Sequence, residues 1–352
     1  MFLRKLLIIF LLIFSLFTIF SIVKLDDNVI KNESNARASL PPIVKKVVRV
    51  GNHVKTSFVT ISTIYFKLPQ STHPAEFFNK FIQKFLRSVS NTPVAIFTDS
   101  ISFSDLHNAT LEAKRFNRMS NLTITIFVID DIWSYTSQLS RMRNMNYEDN
   151  YRNKQPLLHE RKLNPMVYAV WNSKPFFLNL TAQINEFNSK FFIYTDIGAF
   201  RWNFHIDWPD QRFVRLLSAH LNDRILIGQV RPKLLKKAGR LTSEIFIQAG
   251  FFAGSAKAVR HFSDAFYRLH DVMLRSNEYG GEEQKTLNLM TLDESYKQNI
   301  VALKAYSTET NCSDNRLKYY EWYAYQLYFA NHEFTYCMNH EFKLSNSLLR
   351  TF

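Results

Sequence analysis

Short apolar runs that each stop at an aspartate constrain this chain more than any other feature of its sequence. PVAIF (93–97) stops at Thr98-Asp99, LTITIFVI (122–129) at Asp130-Asp131, and FFIY (191–194) at Thr195-Asp196. Strands without a polar face are buried on both sides, and that pattern belongs to parallel sheets covered by helices. The flanking sequence agrees. SFVTISTIYFKL (57–68) is rich in β-branched and aromatic residues and reads as a strand. Pro74 then opens a helix whose apolar stripe runs through Phe77, Phe78, Phe81, Ile82, Phe85, Leu86 and Val89. RILIGQV (224–230) and EIFIQA (244–249) read as further strands. The expected fold class is α/β, a mostly parallel sheet flanked by helices.

In open α/β sheets ligands bind beyond the carboxyl ends of the strands, so Asp99, Asp130 and Asp196 would gather where a ligand sits. Taken singly, each acid has an ordinary reading as a helix cap or turn residue. Asp196 has the most unusual context, FFIYTDIGAFR. Gly198 would let the backbone turn or approach a ligand, and Arg201 supplies a guanidinium fork suited to phosphate oxygens. A carboxylate at a strand end also suits a hard divalent cation bridging a diphosphate.

Two later segments carry chemistry-bearing residues. IQAGFFAG (247–254) places Gln248, Gly250 and Gly254 inside an apolar stretch of a chain with only eight glycines, which points to close approach of a ligand or of another backbone. EYGGEEQKTLNLM (278–290) breaks a helix at Gly280-Gly281 and opens another with Glu282 and Glu283. Those acids suit the helix dipole without further purpose, or they serve a cleft as general base.

The amino-terminal region adds a location. After Arg4 and Lys5, residues 6–23 (LLIIFLLIFSLFTIFSIV) hold no charge. A spanning helix needs roughly 17–25 apolar residues, whereas a cleaved signal has an apolar part of about 7–15, so an uncleaved anchor is expected. The flanking charges leave residues 1–5 cytoplasmic and the rest of the chain on the far side. Residues 24–55, with Pro41-Pro42 and scattered Lys, read as a stem, and 56–352 as one folded domain. Five Asn-x-Ser/Thr sequons, at Asn32, Asn108, Asn121, Asn179 and Asn311, fit an exported domain. The two cysteines, Cys312 and Cys337, form one disulfide in an oxidising compartment or remain two buried thiols.

A net charge of +14 raises the question of nucleic acid, but the Lys and Arg are spread along the chain and no basic recognition helix exists. No nucleic-acid partner is expected behind a membrane anchor. A Gly-x-Ser-x-Gly elbow, a Gly-x-Gly-x-x-Gly loop, a Walker loop and a His-Glu-x-x-His helix are all missing from the sequence.

With these residues in hand, the chain resembles glycosyltransferases of the GT-A type, and more closely the HtrL/YibB-type family of glycosyltransferase-like proteins. PVAIFTD, TDIGAFR, IQAGFFAG and GGEEQKTLN carry the likeness, in that order, over roughly residues 57–340. One departure is plain: Gly198 stands where an Asp-x-Asp motif would have its second acid. The resemblance implies a GT-A-like, Rossmann-related domain behind a signal-anchor, a type II membrane protein of the Golgi or endoplasmic reticulum. It implies a UDP- or GDP-sugar donor and a glycan or glycoprotein hydroxyl as acceptor. Asp99 and Asp130 would lie near the base or ribose, and Asp196 would hold Mn²⁺ or Mg²⁺, with His340 as a further metal or phosphate contact. Gly198, Arg201 and Gln248 would contact the donor, Gly250 would leave room for the sugar, and Glu283 or Glu282 would be the acceptor base. The alternative is a catalytically silent glycan- or nucleotide-sugar-binding relative.

Overall fold

A computed structural model describes residues 43–51, 56–68, 75–89, 91–116, 123–141, 145–158, 163–201, 207–231, 245–304, 321–323, 325–326 and 329–330. The expected span at 6–23, the sequons at Asn32, Asn121 and Asn311, the cysteines Cys312 and Cys337, and His340 lie outside the described residues. Among the described residues no helix is long and apolar enough to cross a membrane. The chain divides into two units. Of the first, Met1–Ile43 with Leu234–Ser243, only Ile43 is described; everything below belongs to the second.

The second unit is an α/β structure around one eight-stranded sheet. Its elements run β1 (Val44–Gly51), β2 (Val59–Tyr65), α1 (Ala75–Ser88), β3 (Val94–Asp99), α2 (Ser100–Phe116) and β4 (Thr123–Ile129). After short helical turns between 136 and 158 come α3 (Pro165–Asn172), α4 (Lys174–Ile184), β5 (Phe191–Thr195), α5 (Gln211–Leu221) and β6 (Ile225–Gln229). The last are β7 (Ile247–Ser255), α6 (Ala256–Arg275), α7 (Glu283–Leu292) and β8 (Ile300–Lys304).

Strand order is β1-β4-β3-β2-β5-β7-β6-β8. The block β4-β3-β2-β5 is parallel, as the unbroken apolar runs require, and every residue of those four strands is buried. The order reverses between β2 and β5, where the chain leaves β2 in one direction and returns on its other side. That is the switch point beside which open sheets bind ligands.

The other half is mixed. β7 runs antiparallel to both β5 and β6, while β8 is parallel to β6. A strand expected over 244–249 therefore starts later and passes through both glycines to Ser255. Part of the expected stem is also a strand: β1 pairs antiparallel with β4 at the sheet edge. Its exposed Lys45 and Lys46 suit an edge, where charge discourages pairing with another chain.

The helix α1 packs Ile82, Phe85, Leu86 and, just past its end, Val89 into one core with Val59, Ile61, Val94 and Ile96. Burial of side chains of this size contributes roughly 1.5–3 kcal/mol each. This core fixes the strand ends from which the site is built.

Candidate functional site

Asp196 follows β5 directly and lies at the carboxyl end of the parallel block, next to the switch point. Its backbone N–H donates to Gly250 O at 3.0 Å, and its own carbonyl accepts from Ala199 N at 3.0 Å. The Tyr194 hydroxyl, two residues back and so on the same face of the strand, donates to Oδ1 at 3.0 Å.

Opposite Asp196 stands Lys174, the first residue of α4. Its ammonium lies 3.1 Å from Oδ1 and 3.2 Å from Oδ2 of Asp196, 2.8 Å from Oε1 of Glu283 and 3.3 Å from the Ala249 carbonyl. The Lys174 and Glu283 side chains are 7% and 5% exposed, against 35% for Asp196, so Asp196 is the member open to solvent. Burial alone would pull the Lys174 ammonium down, but the two carboxylates outweigh it and hold the group above its ordinary range. Burial pushes the Glu283 carboxyl up, against the pull of Lys174.

The local sequence explains how the three meet. Asn164 caps α3 by accepting from Met166 N, and Pro165 opens the helix. Ser173 then ends α3, and Pro175 sits in the first turn of α4, fixing Lys174 between two helices. At the start of α7, the Asn172 amide donates to the carbonyls of Gly280 (3.2 Å) and Gly281 (2.8 Å). A Cβ on Gly281 would come within 2.7 Å of Tyr168 and Tyr279 rings, so that glycine serves close packing. The glycine pair thereby delivers Glu283 to Lys174.

The paired strand β7 bows away from β6 at the same place. Register jumps from Ile227↔Phe252 to Gly228↔Gln248, leaving residues 249–251 unpaired on that side. On the β5 side, the Gly250 carbonyl accepts from Asp196 N and from the Tyr325 hydroxyl, each at 3.0 Å. A Cβ on Gly250 would lie 2.9 Å from Asp196 Oδ2 and 3.1 Å from Gln248 Oε1. The space expected for a sugar is thus taken by Asp196 itself. Gln248 is buried, accepts from Gly250 N at 2.6 Å and packs its amide against Gly228.

Arg201 completes the corner. Its guanidinium lies 3.9 Å from the centroid of the Phe81 ring and 5.2 Å from that of Tyr323. Burial, and then the Arg201 charge, pull the neighbouring Lys84 amine down, which marks a place where two cations meet. Gly198 has an ordinary backbone conformation, and a Cβ there would only touch Arg201 Nη2 at 3.6 Å, so the expected need for glycine is not found.

Other expected site residues fall elsewhere. Asp99 is 2% exposed and accepts from Ser102 N at 2.7 Å, so it caps α2 inside the fold rather than facing a cleft. Asp130 is largely exposed at the β1 edge and pairs with Lys45 at 3.4 Å. Glu282 is half-buried at the start of α7. Asn108 is exposed on α2, but Asn179 is buried on α4 and has no space for a glycan. Lys174, Tyr194 and Tyr325 were not expected from the sequence; a lone lysine opening the apolar helix KPFFLNLTA was the available signal, because an unpaired buried lysine is rare.

As a metal centre the cluster fits poorly. Among the described residues no group of three or more His, Cys, Asp or Glu could hold an ion, and both Asp196 oxygens already face the Lys174 ammonium. Two cavities among the described residues lie away from it: about 260 Å³ by Phe262, Arg268 and Tyr296, and about 510 Å³ by Phe58, Lys190 and Arg215. No model of a known protein family matches the chain, and no curated protein matches it.

Proposed function

We propose that the protein is a glycosyltransferase of the GT-A type, related to the HtrL/YibB-type family, acting on a nucleotide-sugar donor behind a membrane anchor. The observation that carries this reading is Asp196, a partly open carboxylate at the strand end beside the switch point, held by Tyr194 and Lys174. A carboxylate accepts hydrogen bonds only, so it suits the hydroxyls of a ribose or sugar ring. Arg201 suits the diphosphate, whose charge grows as the glycosidic bond breaks. Glu283 stays with Lys174, which leaves half-buried Glu282 to take the proton of the acceptor hydroxyl.

A second reading is supported by the same triad. Two acids held internally by one lysine are also what a silent, sugar-binding relative would retain. Full-length protein in detergent, supplied with UDP- and GDP-sugars, separates the two. Donor hydrolysis or transfer that Asp196→Ala abolishes and Glu282→Gln slows supports the enzyme. Saturable binding without turnover supports the silent relative, and no binding of any nucleotide sugar rejects both.

A further inference from the structure

We propose that Lys174 occupies the position a divalent cation would fill, so that this site takes a nucleoside diphosphate without a metal ion. The identity of the ligand rests on the reading above; the exclusion of the ion rests on geometry alone.

A hard cation at a strand-end carboxylate gathers oxygen ligands around itself. The Lys174 ammonium does this already, with both Asp196 oxygens, one Glu283 oxygen and the Ala249 carbonyl at 2.8–3.3 Å. Three N–H donors have four oxygen neighbours, so the ammonium is fully satisfied where it is. It is also confined: the side chain is 7% exposed and starts from a residue held between Ser173 and Pro175.

Charge balance points the same way. Two carboxylates around one ammonium leave a single negative charge at most, too little to hold a dication. A dication approaching the open side of Asp196 would meet a carboxylate already shared with a cation, and it would be repelled by that cation. The diphosphate finds its positive partner instead in Arg201, stacked on Phe81 with Lys84 beside it.

The test uses the full-length chain with two probes, Mn²⁺ alone followed by electron paramagnetic resonance, and UDP or GDP followed by calorimetry with EDTA or with Mn²⁺. Wild-type protein should bind Mn²⁺ no better than Asp196→Asn, and its nucleoside diphosphate affinity should change by less than about threefold between the two buffers. Lys174→Met, which frees the carboxylates, should gain a Mn²⁺ site at least about tenfold tighter. The proposal is overturned by wild-type Mn²⁺ binding that Asp196→Asn weakens, or by a folded Lys174→Met that gains no site. If Lys174→Met does not fold, the comparison of wild type with Asp196→Asn decides. Nucleoside diphosphate binding that requires Mn²⁺ sinks the metal-free proposal only. Failure to bind UDP or GDP in either buffer sinks the nucleotide-sugar reading, and the Mn²⁺ arm still judges Lys174.

Discussion

The Lys174 ammonium lies 2.8 Å from Oε1 of Glu283, with both side chains almost wholly out of solvent. A buried pair of this kind contributes little net stability as a pair, because removing two ions from water costs about what their attraction returns. Breaking it is another matter, since the remaining charge stays buried without compensation. Lys174→Met should therefore lower unfolding free energy by about 3–5 kcal/mol. Pairing it with Glu283→Gln should recover a large part of that, and urea unfolding of the two single variants and the double variant checks the coupling.

His270 makes a prediction about acid. It is fully buried on α6, with the Tyr151 hydroxyl 2.8 Å from Nε2 and the Thr286 hydroxyl 3.1 Å from Nδ1, and burial pulls it down to about 3. The folded state therefore holds the neutral ring where the unfolded chain, with its ordinary value near 6.5, binds a proton. Stability should fall as pH drops from about 6.5 towards 3, by up to about 1.4 kcal/mol per pH unit. Glu283 contributes with the opposite sign: its neutral form is favoured, so its share is full below about 4.5 and lost as pH rises through its raised value. Urea midpoints measured across this range should flatten in His270→Gln if His270 is the source.

Two glycines of the site should respond differently. Alanine at Gly250 would drive a methyl to 2.9 Å from Asp196 Oδ2, forcing the carboxylate off Lys174 at a cost of about 1–3 kcal/mol. Alanine at Gly198 meets only Arg201 at ordinary contact distance and should change stability by less than about 0.5 kcal/mol. Thermal melts of the two variants make the comparison; equal losses would contradict the close approach at Gly250.

The sequons test the compartment. Asn108 is exposed and Asn179 is buried. Expressed in animal cells, the chain should carry a glycan at Asn108 and none at Asn179, as peptide mass spectrometry would read. An unmodified Asn108 counts against a luminal domain.

Much of this arrangement was legible in the sequence, for identifiable reasons. The parallel strands showed because burial on both faces leaves no polar residue in them, and Asp196 stood out because a turn, not a helix, follows it. Asp99 has the same strand-end position but is followed at once by Ser100 and α2, which makes it a cap. The antiparallel β7 and its bulge were not legible, since direction depends on pairing with β5 and β6 across long separations in the chain. Lys174 was hidden for the same reason: its partners arrive from β5 and α7, and nothing in its own helix names them. The role of Gly250 was misjudged because a glycine signals close approach without saying what approaches.

Asp196 is proposed to bind a nucleotide sugar. Calorimetric titration of UDP- and GDP-sugars into the full-length protein tests it most directly, with Asp196→Ala and the exposed Asp130→Asn as variants. Saturable binding of at least one donor is expected, weakened by about tenfold or more in Asp196→Ala and unchanged in Asp130→Asn. Folded wild-type protein that binds none of them, or binding indifferent to Asp196→Ala, would contradict it.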